Sequence, residues 1–108
     1  LAAAETLALE GIEAEVIDPR TLVPLDLGTL LASVRKTGRV VTTDETPRSC
    51  GVAGELLARV CEEAWDALKA PPRRVATPDV PIPFAATQEE YVTPTAGKLV
   101  EAVHAVCR

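Results

Sequence analysis

The chain has 108 residues, 47% of them hydrophobic, and a formal net charge of −5. This length fits one domain or part of one, and the hydrophobic content is that of an ordinary globular protein. The acidic balance disfavours a nucleic-acid interface, which needs a basic face. No apolar run approaches the ~20 residues of a membrane span. The alanine-rich start contains Glu5 and Glu10 and lacks a basic segment, so it is not expected to be a signal peptide.

The first ten residues consist mainly of strong helix formers, and no N-capping residue precedes them. They predict a helix that is already under way at Leu1 and that ends at Gly11. Because a domain rarely begins inside a helix, we expect the natural chain to extend upstream.

Residues 12–45 predict a strand, a polar turn, a helix and a second strand. Apolar and polar residues alternate from Ile12, and this predicted strand ends before Pro19. Asp26 is placed to cap a helix with apolar residues at positions 27, 30, 31 and 34. Gly38 ends that helix, and Val40 begins the next strand. Such a crossover unit indicates a parallel α/β sheet.

The second half of the chain continues the same alternation of elements. After a loop, the apolar spacing predicts a long helix over residues 50–69, which Pro71 and Pro72 follow. Residues 73–77 predict a short strand, and prolines interrupt a long irregular segment over residues 78–94. Thr95 is expected to cap a last helix whose buried face is formed by Leu99, Val103 and Val106.

Several motifs could carry chemistry, but each has a simpler structural explanation. Gly51-x-x-Gly54 precedes a helix and could hold an anion, yet it lacks the lysine of a phosphate loop, so close packing is the favoured interpretation. His104 is the only histidine and has no predictable catalytic partner. The three cysteines are not spaced in pairs, which favours reduced thiols in a cytosolic protein, and a zinc site is disfavoured.

Four charged residues follow the predicted strands at their carboxyl ends: Asp18, Arg20, Asp44 and Glu45. Ligands bind at this edge of open α/β sheets, and carboxylates there could act as acids or bases. The alternative is a structural ion pair of Arg20 with Asp18 or with a carboxylate of the second strand.

The segments VIDPRTLVPLD, SVRKTGRVV, DETPRSCG, LKAPPRRVATPDVPIPFA and TAGKLVEAV occur in this order over nearly the whole chain. Together they resemble the C-terminal domain of the β subunit of thiamine-diphosphate-dependent 2-oxo acid dehydrogenases, the E1 components that act on pyruvate, branched-chain 2-oxo acids or acetoin. Transketolase ends with a domain of the same type. The resemblance implies one domain over residues 1–108, with a three-layer αβα fold and a mostly parallel sheet whose first strand is missing from this sequence.

The resemblance also implies how the parent enzyme works. Thiamine diphosphate with Mg serves oxidative decarboxylation and acyl transfer to lipoyl-E2, and this domain does not itself bind the cofactor. We therefore expect this chain to contribute no catalytic, cofactor-binding or metal-binding residue. The implied partners are the E1 α subunit, a second β subunit and the subunit-binding domain of the E2 acyltransferase, and the location is cytoplasmic. The candidate interface residues are Asp18, Arg20, Asp44, Glu45, Glu89, Glu90 and Tyr91.

Three alternatives remain open at this point. One is the β subunit of an acetoin dehydrogenase, and another is the last domain of transketolase or deoxyxylulose-phosphate synthase. The third belongs to a different class, a free-standing α/β module that binds a nucleotide or a protein at the sheet edge.

Overall fold

A computed structural model describes all residues from 1 to 108. The α-helices are α1 (Ala2–Leu9), α2 (Leu27–Thr37), α3 (Val52–Ala64), α4 (Ala86–Val92) and α5 (Ala96–Cys107). The strands are β1 (Val41–Pro47) and β2 (Arg73–Thr77), and a short 3-10 helix (Trp65–Ala67) extends α3. None of the helices combines the length and the apolar character that crossing a membrane requires.

The two strands form a parallel sheet that lies between two helical layers. Val41 lies opposite Arg73 and Asp44 opposite Ala76, after which the register shifts so that Pro47 faces Thr77. Helix α3 packs on the sheet and also contacts α2. Helix α5 packs against both strands and also contacts α1. The predicted three-layer αβα architecture with a parallel sheet is confirmed, with a sheet of two strands.

The core is small and lies between α2, α3 and the start of β1. Its buried residues are Leu31, Val34, Val40, Val60 and Ala64. Only 12 of the 108 residues are buried, and the Oγ1 atom of buried Thr42 on β1 has no hydrogen-bond partner. Because so few residues are buried, much of the surface of the sheet and of the helices is available for contacts with other parts of a protein.

Both ends of α2 follow the predicted chemistry. The backbone N–H of Thr29 donates to Asp26 Oδ1 at 3.1 Å, which satisfies one of the free amides of the first turn. Gly38 ends the helix in the left-handed conformation, with φ of 72°, and its N–H donates to the carbonyl of Val34 at 2.7 Å. The capping roles of Asp26 and Gly38 are confirmed.

The predicted strand over residues 12–18 is wrong for this structure. A strand needs partners for its backbone groups, and the only ladder of β1 is with β2. The segment is instead irregular and lies along α2, where the carboxylate of Glu15 accepts hydrogen bonds from Ser33 at 2.6 Å and from Lys36.

Three further expectations need correction. Within the predicted helix over residues 50–69, only α3 is α-helical. A 3-10 helix follows it, and the backbone of Leu68 is already in an extended conformation. The segment over residues 78–94 is not irregular throughout, since it contains α4. On α5 the cap by Thr95 is confirmed, but only Val106 is fully buried, and Leu99 and Val103 are half-buried.

Candidate functional site

The C-terminal half of β1 carries a carboxylate near the N-terminus of α3. Asp44 accepts hydrogen bonds from the backbone N–H of Thr46 at 3.0 Å and from its hydroxyl at 2.5 Å. These bonds to Thr46 are the main reason that the pKa of Asp44 lies below its usual value, and the amides of Ala53 and Val52 lower the pKa further. The chain therefore supplies its own anion to this helix N-terminus.

The two glycines of the Gly51-x-x-Gly54 motif allow close packing. A Cβ atom at Gly51 would lie 2.6 Å from the carbonyl oxygen of Pro47 and 2.7 Å from the hydroxyl of Thr46. A Cβ atom at Gly54 would lie 3.0 Å from a guanidinium nitrogen of Arg74 on β2. These close approaches agree with the interpretation of the motif as a packing feature.

The loop between β1 and α3 is also fixed to the segment that follows β2. The amide of Arg48 donates to the carbonyl of Thr77 at 2.7 Å, and the guanidinium of Arg74 donates to the carbonyl of Arg48 at 2.9 Å. The amide of Ser49 donates to Asp79 Oδ1 at 3.0 Å, and its hydroxyl donates to the other oxygen. These bonds to Ser49 lower the pKa of Asp79. The carboxyl edge of the sheet is thus a preformed, hydrogen-bonded surface.

The residues of this chain do not fit thiamine diphosphate and its magnesium ion. No group of three or more histidine, cysteine, aspartate or glutamate side chains is placed to hold a metal ion. The amides of Val52 and Ala53 contribute to the lowered pKa of Asp44, so a carboxylate already lies near this helix N-terminus, where it disfavours a second anion.

Asp18 and Arg20 form an ion pair on an exposed turn. The guanidinium Nε of Arg20 lies 3.0 Å from Asp18 Oδ2, and both side chains are largely exposed. Arg20 makes no ion pair with Asp44 or Glu45, so the structure does not unite the four predicted edge residues in one cluster. Of the two predicted pairings, the one with Asp18 is present. Glu45 contributes its backbone carbonyl, which accepts a hydrogen bond from the Thr77 hydroxyl at 2.7 Å.

Helix α4 carries Glu89, Glu90 and Tyr91, all of them exposed. Beside it lies an open concavity of about 450 Å³, lined by Pro81, Pro83, Thr87, Gln88, Tyr91 and Val92. Its apolar neighbours Val80, Ile82 and Phe84 are also exposed and were not among the predicted interface residues. The signal that could have found them is the absence of any charged residue over residues 80–88.

The single histidine and the cysteines form no catalytic arrangement. Nε2 of His104 lies 2.5 Å from a carboxylate oxygen of Glu10, and this contact joins α5 to the C-cap residue of α1. Cys50, Cys61 and Cys107 are free. Cys50 is exposed and has a positive φ of 60°, in the loop before α3, but no histidine contacts it.

Comparison with known proteins identifies the family. The sequence profile of "Transketolase, C-terminal domain" matches residues 1–99. The chain belongs to the transketolase C-terminal domain family. This agrees with the two helical layers around a parallel sheet, and it confirms the resemblance that the sequence segments indicated.

Three curated relatives cover nearly all of this transketolase C-terminal domain. The β subunit of acetoin:2,6-dichlorophenolindophenol oxidoreductase from Cupriavidus necator is 47% identical over 94% of the chain. The pyruvate dehydrogenase E1 component subunit β from Rhizobium meliloti is 45% identical over 97% of the chain. The mitochondrial subunit β-1 of the same component from Arabidopsis thaliana is 48% identical over 99%. The chain spans 30%, 23% and 30% of the lengths of these relatives, respectively.

Proposed function

We propose that this chain is the C-terminal domain of the β subunit of a thiamine-diphosphate-dependent 2-oxo acid dehydrogenase E1. The observation that carries the proposal is the identity of 45% and 48% to two E1 β subunits over nearly the whole chain. The parent enzyme would oxidatively decarboxylate pyruvate or a branched-chain 2-oxo acid and pass the acyl group to lipoyl-E2.

The proposed role of the domain is assembly and not catalysis. Its polar side chains at the sheet edge are occupied with one another, as the contacts of Asp44 with Thr46 and of Asp79 with Ser49 illustrate. No group of three or more histidine, cysteine, aspartate or glutamate side chains is placed to hold the metal ion. Thiamine diphosphate and Mg would therefore be held elsewhere in the parent enzyme, which we place in the cytoplasm.

Two surfaces are proposed for contacts with other subunits. Asp18 and Arg20 on the exposed turn, and Asp44 and Glu45 on β1, would face the E1 α subunit or the second β subunit. Helix α4, with Glu89, Glu90 and Tyr91, would face the subunit-binding domain of E2. Such E2 domains are often basic in the resembled complexes, so an acidic helix would favour their encounter.

A second substrate class is also proposed, because one relative that is 47% identical acts on acetoin according to its name. The identities of the acetoin and pyruvate relatives are too similar to separate these substrates. Under our proposal the substrate contacts lie outside this domain.

The test of the proposed activity uses the full-length parent chain, produced together with a candidate α subunit. We would measure thiamine-diphosphate-dependent reduction of an artificial electron acceptor with pyruvate, branched-chain 2-oxo acids and acetoin. Activity that requires both chains would support the E1 assignment and identify the substrate. Turnover of sugar phosphates by the parent chain alone would contradict it in favour of the transketolase group. The absence of both would favour a binding module.

The proposed E2 surface has its own test. In the assembled E1, the double substitution Glu89→Lys and Glu90→Lys should weaken binding of the E2 subunit-binding domain and reduce the dependence of that binding on salt. The matched control is Glu62→Lys with Glu63→Lys, a consecutive and equally exposed pair on α3. Equal binding by the α4 variant and the control at every salt concentration would contradict this docking surface.

A further inference from the structure

Helix α4 has little that stabilises it from within. It comprises seven residues, Ala86–Val92, and none of them is buried. Its N-cap residue, Ala85, makes no side-chain capping bond, and its last turn contains no basic residue. Helices shorter than about 12–15 residues are marginal in water unless other parts of the protein hold them. The position of α4 therefore depends on contacts from outside the helix.

Lys98, in the first turn of α5, is the side chain of another element that hydrogen-bonds to the end of α4. Its ammonium donates to the backbone carbonyls of Tyr91 at 2.5 Å, Thr93 at 2.6 Å and Glu90 at 3.3 Å. The last carbonyls of a helix have no partner inside it and carry partial negative charge, so a cation is favourable there. The three bonds match the three donors of an ammonium group. Lys98 therefore satisfies the C-terminal end of α4 and joins it to α5.

The helix that Lys98 holds carries the acidic pair proposed for the E2 contact. Glu89 and Glu90 are both exposed, and neither carboxylate forms an ion pair with Lys98. Lys98 thus binds the backbone of α4 and leaves both carboxylates free for a partner. A segment that must become ordered on binding lowers the affinity by the entropy cost of that ordering. Loss of the Lys98 contacts would transfer the cost of ordering α4 to the binding step.

We infer that Lys98 is a positioning residue for E2 binding, which holds α4 in the conformation that the E2 subunit-binding domain recognises. The inference rests on the proposed function, in which α4 faces E2. It gives Lys98 an effect opposite in sign to that of its charge. A positive charge beside Glu89 and Glu90 opposes the approach of a basic partner, so its removal would strengthen binding if charge alone mattered. Removal of a positioning residue weakens binding.

The test measures the affinity of the E2 subunit-binding domain for the assembled E1 that contains the parent chain. Lys98→Met removes the three bonds, Lys98→Arg keeps the charge and the donors, and Lys69→Met removes an exposed positive charge elsewhere. We expect Lys98→Met to raise the dissociation constant about tenfold, and the other two variants to stay within about threefold of the unsubstituted protein. Hydrogen exchange over residues 86–93 should become faster in Lys98→Met, with exchange in α2 and α3 unchanged.

A second variant loosens α4 without touching Lys98. Gln88→Gly is an exposed substitution that destabilises the helix and keeps every charge, so it should weaken E2 binding in the same direction. Unchanged or tighter binding by Lys98→Met would overturn the inference, and so would unchanged binding by Gln88→Gly when its α4 exchanges faster.

Failure of the proposed function gives a different result. The unsubstituted E1 would then not bind the E2 domain, or the double substitution Glu89→Lys and Glu90→Lys would leave that binding unchanged. Either result would overturn the inference together with the docking surface. Normal binding by the unsubstituted protein, weakened by the charge reversal but not by Lys98→Met, would overturn the inference alone.

Discussion

The ammonium of Lys98 lies 2.5 Å from the backbone carbonyl oxygen of Tyr91, and this contact fastens α4 to α5. Tyr91 belongs to the candidate interface, whereas Lys98 lies at the start of a different helix. A helix without buried residues depends on such contacts for its position.

Replacement of Lys98 by methionine should loosen α4 without unfolding the domain. Hydrogen bonds from a charged group contribute about 1–2 kcal/mol at a partly exposed site, which corresponds to roughly tenfold faster amide exchange. Hydrogen exchange measured on residues 86–93 of the parent chain checks this. Lys69→Met is the control, because the ammonium of Lys69 makes no hydrogen bond in the structure. If α4 exchanged equally fast in both variants, Lys98 would not hold the helix.

Replacement of Gly51 by alanine should destabilise the protein. The added Cβ atom would lie 2.6 Å from the carbonyl oxygen of Pro47, so the loop before α3 must move. We expect a loss of about 1–3 kcal/mol in the free energy of unfolding, as for other overpacked sites. Gly28→Ala is the matched control, because its Cβ atom would meet nothing closer than 3.8 Å. Gly28 is the second residue of α2 and has no positive φ, so alanine fits its backbone and this control should be neutral or slightly stabilising in urea unfolding.

The lowered pKa of Asp44 predicts a definite pH dependence of stability. Since the pKa of this carboxyl lies lower in the folded state than in the unfolded state, ionisation of Asp44 stabilises the fold above the unfolded value of about 3.9. That contribution is lost as the pH falls through the lower pKa of the folded state. The free energy of unfolding should therefore decrease on acidification from pH ~5 to pH ~2, and Asp44→Asn should make this decrease smaller.

The control for this titration is Asp66→Asn, since Asp66 is exposed and its side chain makes no hydrogen bond. Urea unfolding followed by circular dichroism at a series of pH values gives the required curves. Identical pH profiles for Asp44→Asn and the unsubstituted protein would show that the contacts with Thr46 do not favour the ionised carboxylate.

Local signals in the sequence predicted the local features of the fold. Asp26 and Gly38 could be placed at the two ends of α2 because capping depends on residues within one turn of the helix. The same holds for Thr95 at the start of α5. The packing role of Gly51 was also predictable in kind, since an isolated glycine pair without a lysine rarely forms a phosphate site.

Features that depend on distant parts of the chain were predicted less well. The alternation from Ile12 to Ile17 favours a strand, but a strand forms only where a neighbour satisfies its backbone, and this segment has none here. Helix α4 was missed because the prolines around it dominate the local pattern. The contact between Lys98 and the end of α4 cannot be read from either segment alone, and neither can the exposure of Phe84.

We propose that this domain assembles the enzyme and does not take part in its chemistry, and the charge reversal Arg20→Glu separates these two roles. The loss of the exposed ion pair with Asp18 should cost little folding stability. We would measure the dissociation constant of the parent chain for its α subunit together with kcat at saturating α subunit. Arg73→Glu, at another exposed arginine, is the control. For Arg20→Glu we expect a dissociation constant raised at least tenfold, with the kcat of the assembled enzyme unchanged. A lowered kcat with undiminished association would contradict it.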